Sequence, residues 1–255
     1  MSRHIFCNAP VKDRSHQDQV YATPKSMIVD FAFDETVAKV FPDMIRRSVP
    51  GYETIIALTG LLAEQYVQPE SHCYDLGCSL GAATLAMRSR IRQPRCRIIA
   101  VDNAEAMTSR CQQHVRQAGE GVAVEVICAD IQAVSIENAS VVVLNITLQF
   151  IEPNARRALL EKIYAGLRPG GALLVSEKIT FANEAEQQRM ETLHIAFKKA
   201  NGYSDLEISQ KRSALENILI PDTLEQHYQR LQSVGFNSID NWFRCINFVS
   251  LLAVK

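Results

Sequence analysis

The stretch Tyr74-Asp75-Leu76-Gly77-Cys78-Ser79-Leu80-Gly81 constrains this chain more than any other. An apolar, acid-tipped strand runs into a turn of small residues, and an alanine-rich helix begins at Ala82. A second strand follows, Arg97-Ile98-Ile99-Ala100-Val101, and ends in Asp102-Asn103. Doubly wound folds hold an adenosine with a glycine-rich first turn and an acid at the tip of the next strand. The turn lets a ligand approach backbone, and the acid accepts from the ribose hydroxyls. The same residues also read as Gly-x-Ser-x-Gly, the strand-to-helix elbow that carries a nucleophilic serine in hydrolases.

Around this turn, strands and helices alternate. The patterning predicts strands near 72–76, 97–101, 122–128, 140–146 and 171–177, and helices near 81–92, 104–118 and 154–167. Short apolar strands separated by helices imply a parallel sheet covered on both faces. The run Gly166 to Gly171 ends a helix and turns into the fifth strand. Upstream, residues 1 to about 33 carry no clear period and read as a flexible or adaptable arm. Asp34 is a candidate N-cap for a short helix from Val37 to Phe41, and Tyr52 to Tyr66 reads as an amphipathic helix. Downstream, 181–219 breaks the rhythm with two polar helical stretches, Asn183 to Ala200 and Ser204 to Leu219, and reads as a lid insertion. A helix near 222–234 stops at Gly235, and Ser238–Phe243 with Ile246–Val254 form a hairpin-like ending. The expectation is an α/β fold: a doubly wound, seven-stranded, mostly parallel sheet whose last strand is antiparallel. Residues 1–66 would form an N-terminal arm and helices, and 67–255 the main domain with its lid at 181–219.

Composition narrows the function classes. The chain is 47% hydrophobic and 22% charged, enough to bury a sizeable core. A net charge of −1 gives no electrostatic footprint for nucleic acid. The start, Met1 to Cys7, lacks the apolar core of a signal peptide. The longest apolar run, Ser140 to Ile151, is interrupted by Asn145, Thr147 and Gln149 and is too short to span a bilayer. Seven scattered cysteines, an odd number without a Cys-x-x-Cys pair, fit a reduced, cytoplasmic protein. No histidine pair or acid cluster has metal-ligand spacing, so no metal is expected.

Three readings of the turn compete. A nucleophile elbow needs an oxyanion loop upstream and several preceding strands; only Gly51 and Gly60 precede the turn, with one clear strand, although His114, His194 and His227 follow it. A nicotinamide site needs Gly-x-Gly-x-x-Gly to cradle pyrophosphate, and here Ser79 replaces the second glycine. S-adenosyl-L-methionine has no phosphate, and its zwitterionic amino-acid end suits a turn of exposed amides with a serine hydroxyl. Asp75, Asp102 and Asp130-Ile131, in order at the ends of strands one to three, together with Pro169-Gly170-Gly171 before strand five, follow the class I methyltransferase pattern.

Longer stretches are more particular. Val40-Phe41-Pro42-Asp43-Met44-Ile45, Arg47 to Tyr52, Tyr74 to Thr84, Val143-Leu144-Asn145 with Thr147-Leu148-Gln149-Phe150, and Ala200 to Ser204 with Leu206 to Ser213 resemble the carboxy-S-adenosyl-L-methionine synthases from about residue 31 onward. The resemblance implies a Rossmann-like methyltransferase sheet in a homodimer that does not donate the methyl group. Prephenate would lose carbon dioxide and leave as phenylpyruvate, and the sulfonium methyl would capture the carbon dioxide. The product would be the carboxymethyl donor for wobble uridine of tRNA, used by a separate enzyme. By the same resemblance, Gly77, Cys78 and Ser79 would contact the methionine part, Asp102 and Asn103 the ribose, and Asp130 and Ile131 the adenine. Asn145 would face the sulfonium, Tyr52 would reach in from the N-terminal helices, and Arg212 would read the new carboxylate.

A proton beside a sulfonium is acidified, but the carbanion is quenched by water, so the pocket has to exclude solvent. The insertion at 181–219 is the expected cover. It carries Lys198-Lys199, read as a solvated helix face, and Lys211-Arg212. No protein general base is evident. The rivals are an ordinary small-molecule methyltransferase, in which Arg212 is incidental, and a non-catalytic protein that stores the ligand.

Overall fold

A computed structural model describes residues 17–255. The first part of the expected arm, with Cys7, lies outside the described residues. The strands are β1 (His72–Leu76), β2 (Arg97–Asp102), β3 (Ala123–Cys128), β4 (Ala139–Asn145), β5 (Leu167–Thr180), the two-residue β6 (Asp222–Thr223), β7 (Ser238–Cys245) and β8 (Phe248–Val254). Seven of them form one path, β3-β2-β1-β4-β5-β8-β7, and β6 pairs in parallel with the far end of β5. β1 to β5 run parallel, and the last strand, β8, is antiparallel to both its neighbours. The expected architecture is therefore the one observed, with β6 as an addition.

Helices cover both faces, as the near-continuous apolar strands require. On one face, Tyr74, Leu76, Val142, Leu144, Leu173 and Val175 meet Leu159, Leu160 and Ile163 of α5 (Pro153–Gly166) and Leu231 of α8 (Leu224–Ser233). On the other, Cys73, Val141, Val143 and Leu174 alternate with them and meet Ala63 of α2 (Tyr52–Tyr66) and Ala83 and Met87 of α3 (Ala82–Arg90). Each large aliphatic side chain buried this way contributes about 1.5–3 kcal/mol, which locks the strand register because a one-residue slip would turn each set to the wrong face.

Several boundaries differ from expectation; β5, for one, spans Leu167–Thr180 where 171–177 was expected. Asp34 does cap a helix, its Oδ1 accepting from Val37 N–H at 2.9 Å, but α1 spans Glu35–Ser48 and runs through Pro42. Burial of Met44 and Arg47 carries the helix past the proline, a tertiary gain that overrides local propensity. The arm also packs from its described start: Tyr21 and Phe31 are buried against Val37, Met44 and Ala214. The insertion expected as a lid consists of α6 (Glu184–Ala200), capped by Asn183, and α7 (Asp205–Leu215), opened by a Ser204–Glu207 capping box and shorter than the expected stretch to Leu219. α4 (Glu105–Gln117) flanks the first turn.

Candidate functional site

The C-terminal ends of the parallel strands converge on one cavity of about 260 Å³, the place where open α/β sheets bind ligands. The first turn is built for close approach. Gly77 has φ +83°, and a Cβ there would stand 2.3 Å from Thr147 Oγ1. Ser79 is held in the left-handed region at φ +49°. The carboxylate of Asp102 makes that possible: its Oδ2 accepts from Ser79 N–H at 2.9 Å while its Oδ1 accepts from Ala104 N–H at 2.9 Å. Burial pushes Asp102 upward, opposed by those two N–H groups. Asp75 lies beneath the turn. Its Oδ2 accepts from Thr84 N–H at 2.9 Å and from the Thr84 hydroxyl at 2.6 Å. Burial pushes its carboxyl up to about 6, with the Thr84 bonds pulling the other way.

Gly77, Cys78 and Ser79 line the cavity from this turn, Asp102 and Asn103 from the end of β2, Asp130 and Ile131 from beyond β3, Asn145 from the tip of β4, and Tyr52 from the start of α2. Burial pushes the Tyr52 phenol well up, so it stays a neutral donor. Asp75 Oδ1 and Asn145 Oδ1 are buried without a partner among the described residues. Two unsatisfied acceptors around a glycine cradle fit a ligand that brings donors, such as an α-ammonium group. Ser79 is no nucleophile here: its hydroxyl turns to Met107 Sδ at 3.5 Å, and His194, the cavity's histidine, uses Nε2–H to donate to Ser48 O at 2.7 Å. Burial pushes His194 down to about 3, so it is neutral.

Glu177 was not singled out from sequence, yet it shapes this edge. Fully buried in β5, its Oε1 accepts from the N–H groups of Thr147 (3.1 Å) and Leu148 (2.7 Å), and its Oε2 from that of Gln149 (3.1 Å). Burial pushes it up to about 8 against those three bonds. It fastens the turn after β4, in which Ile146 is forced to φ +59°, a costly conformation for a β-branched residue. The sequence signal was an acid-base pair, Glu177-Lys178, inside an otherwise apolar strand.

The lid-side wall differs most from expectation. Lys178 of β5, Lys198 of α6 and Lys211 of α7 line the cavity. Lys198 is thus no solvated residue, whereas Lys199 next to it is exposed and pairs with Asp205 at 2.6 Å. Arg212 is not brought into the cavity. Its side chain is 68% exposed and reaches Glu191 at 3.8 Å. Successive residues on a helix point about 100° apart, so with Lys211 turned inward its neighbour faces the rim. Lys211 Nζ donates to Ser48 Oγ at 3.1 Å and stands 3.7 Å from Asp18, which ties α7 to α1.

The methyltransferase-domain family model matches residues 74–171. Solved structures share the fold. Human N-acetylserotonin methyltransferase in complex with SAM is 19% identical, with a TM-score of 0.56 over 87% of this chain and 55% of that one. A cyclopropane synthase from Mycobacterium tuberculosis is 15% identical, with a TM-score of 0.53 over 72% and 62%. The curated relatives are far nearer. A carboxy-S-adenosyl-L-methionine synthase from Trichlorobacter lovleyi is 60% identical over 93% of this chain and 98% of its own length. One from Vibrio campbellii is 57% identical over 95% and 99%. Identity at that level over almost the whole of both chains, lid included, means that the chain belongs to the carboxy-S-adenosyl-L-methionine synthase family.

Proposed function

We propose that this protein converts S-adenosyl-L-methionine and prephenate into carboxy-S-adenosyl-L-methionine and phenylpyruvate. One observation carries the reading. A chain about 60% identical to synthases of that name joins a glycine cradle with unsatisfied acceptors to a lysine-lined wall in a single cavity. The cradle suits the cationic substrate and the lysines suit an anionic one. The atoms balance. The bond from the prephenate ring to its carboxylate breaks, and its electron pair aromatises the ring as the ring hydroxyl departs. The departing hydroxide and one methyl proton make water. The pair left on the methyl carbon bonds to the carbon dioxide. The chain's residues have to hold both reactants, keep water out and accommodate a new carboxylate. Gly77, Cys78 and Ser79 would take the methionine part, Asp102 and Asn103 the ribose, Asp130 and Ile131 the adenine, Asn145 and Tyr52 the sulfonium end. Arg212, at the rim, would reach the new carboxylate once its ion pair with Glu191 gives way.

The product would serve a separate enzyme as carboxymethyl donor for tRNA wobble uridine, in keeping with the net charge of −1 here. A cytoplasmic homodimer fits the resemblance, and among the described residues no helix is long and apolar enough to cross a membrane. The test is to incubate the protein with S-adenosyl-L-methionine and prephenate and to follow masses. Gain of one carboxyl group with release of phenylpyruvate is expected. Release of S-adenosylhomocysteine with a methylated acceptor would mark an ordinary methyltransferase and overturn the reading.

A further inference from the structure

Lys178 and Lys198 reach the cavity from different elements, β5 and α6. Among the described residues, neither Nζ has an ion-pair or hydrogen-bond partner, whereas Lys211 has Asp18 at 3.7 Å and Arg212 has Glu191 at 3.8 Å. Among the described residues, the charged groups acting on Lys198 are Lys178, Lys211 and Arg212, all cations, and no carboxylate offsets them. Glu191 acts on Lys178 from the rim, opposed by Arg212. His194 lines the same wall and is neutral. A fold does not gather desolvated cations around one wall for stability, because each is costly without a counter-charge. Such a wall is explained by an anion that completes it.

We propose that Lys178 and Lys198 form the subsite for the carboxylates of the anionic co-substrate, opposite the glycine cradle that receives the sulfonium substrate. The ligand class is a dicarboxylate, and the inference rests on the reading that prephenate is that co-substrate. The ammonium groups act as compact point charges that hold the dianion beside the methyl carbon. Burial and the neighbouring cations push Lys198 down to about 7. Arrival of a dianion therefore draws a proton onto it at pH 8, where the empty site holds it largely neutral.

The test uses the full chain with Lys178→Met, Lys198→Met and the charge-keeping Lys198→Arg. S-adenosyl-L-methionine binding, measured by calorimetry, reports on folding and is expected to stay within about twofold of wild type in all three. Prephenate is then titrated into protein saturated with S-adenosylhomocysteine, which lacks the methyl group and cannot turn over. Each Met variant is expected to bind prephenate about tenfold or more weakly, with Lys198→Arg recovering most of the loss. At pH 8, repeating the titration in buffers of different ionisation enthalpy should reveal proton uptake by wild type that Lys198→Met lacks. Met variants that keep prephenate affinity within about twofold, with wild-type proton uptake, would overturn the subsite. A wild-type protein that forms no carboxylated product overturns the functional reading and the subsite with it, and that failure is seen in the wild-type arm alone.

Discussion

The two walls of the cavity are made on opposite principles. On the cradle side, each charged group has already found much of what it needs: Asp102 holds two backbone N–H groups and Asp75 holds Thr84 twice. On the lid side, Lys178 and Lys198 line the cavity with no anionic contact among the described residues. The first wall has its shape set in advance, with only the acceptors Asp75 Oδ1 and Asn145 Oδ1 left for a ligand's donors. The second is a set of desolvated charges that a ligand has to finish. One substrate can therefore bind to a preformed cradle, while the other also has to discharge an electrostatic cost held in the lid.

The comparison breaks most sharply at Asp102. Asp102→Ala removes the acceptor that holds Ser79 in place, so the cradle stops being preformed. Two charge-assisted bonds of about 1.5 kcal/mol each predict S-adenosyl-L-methionine binding weaker by about 100-fold, read by calorimetry. Retained affinity would mean that the cradle keeps its shape without its acid. Arg212→Ala tests whether the rim belongs to the lid wall. Retention of carboxy-S-adenosyl-L-methionine, assayed by native mass spectrometry, should fall about tenfold while that of S-adenosyl-L-methionine changes less than about twofold. Equal loss of both would remove Arg212 from carboxylate reading.

The smallest expected effect is the most diagnostic of the contrast. A preformed wall loses stability when mutated; a wall of uncompensated charge gains it. Lys198→Met in ligand-free protein should raise Tm by about 2–4 °C, the shift of about 1 kcal/mol in a chain of this size. The sign with pH follows from the lowered folded pKa of about 7. The folded protein holds fewer protons than the unfolded chain between that value and the ordinary lysine range. The wild-type penalty is therefore complete below pH 7 and is relieved as pH rises above it. The Tm difference between variant and wild type should thus be larger at pH 6 than at pH 9. A fall in Tm at pH 6 would show Lys198 to be a structural residue.

Much of the molecule was legible beforehand because its signals are local. Gly77 and Gly81 follow β1 directly, and Asp75, Asp102 and Asp130 each sit at or just past the end of their own strand, ends that a parallel sheet brings to one edge, so the cradle could be read from their order alone. The two helices of the 181–219 insertion were legible for the same reason, although α7 stops at Leu215 and not at Leu219. The helix through Pro42 was not, because what sustains it is the burial of Met44 and Arg47 in the assembled protein.

By itself, then, the sequence determined the layered sheet, the place where a ligand binds and the kind of ligand the first turn accepts, since these depend on periodicity and turn chemistry. Only the tertiary structure decided which members of the two cation pairs at 198–199 and 211–212 face the cavity. Lys198 and Lys199 are adjacent, as are Lys211 and Arg212, and composition treats the members of each pair alike. The docking of α6 and α7 against Ser48 of α1 turns Lys198 and Lys211 inward and leaves Lys199 and Arg212 to Asp205 and Glu191. A helix gives neighbouring residues opposed environments, and its rotation is set by packing between elements far apart in the chain.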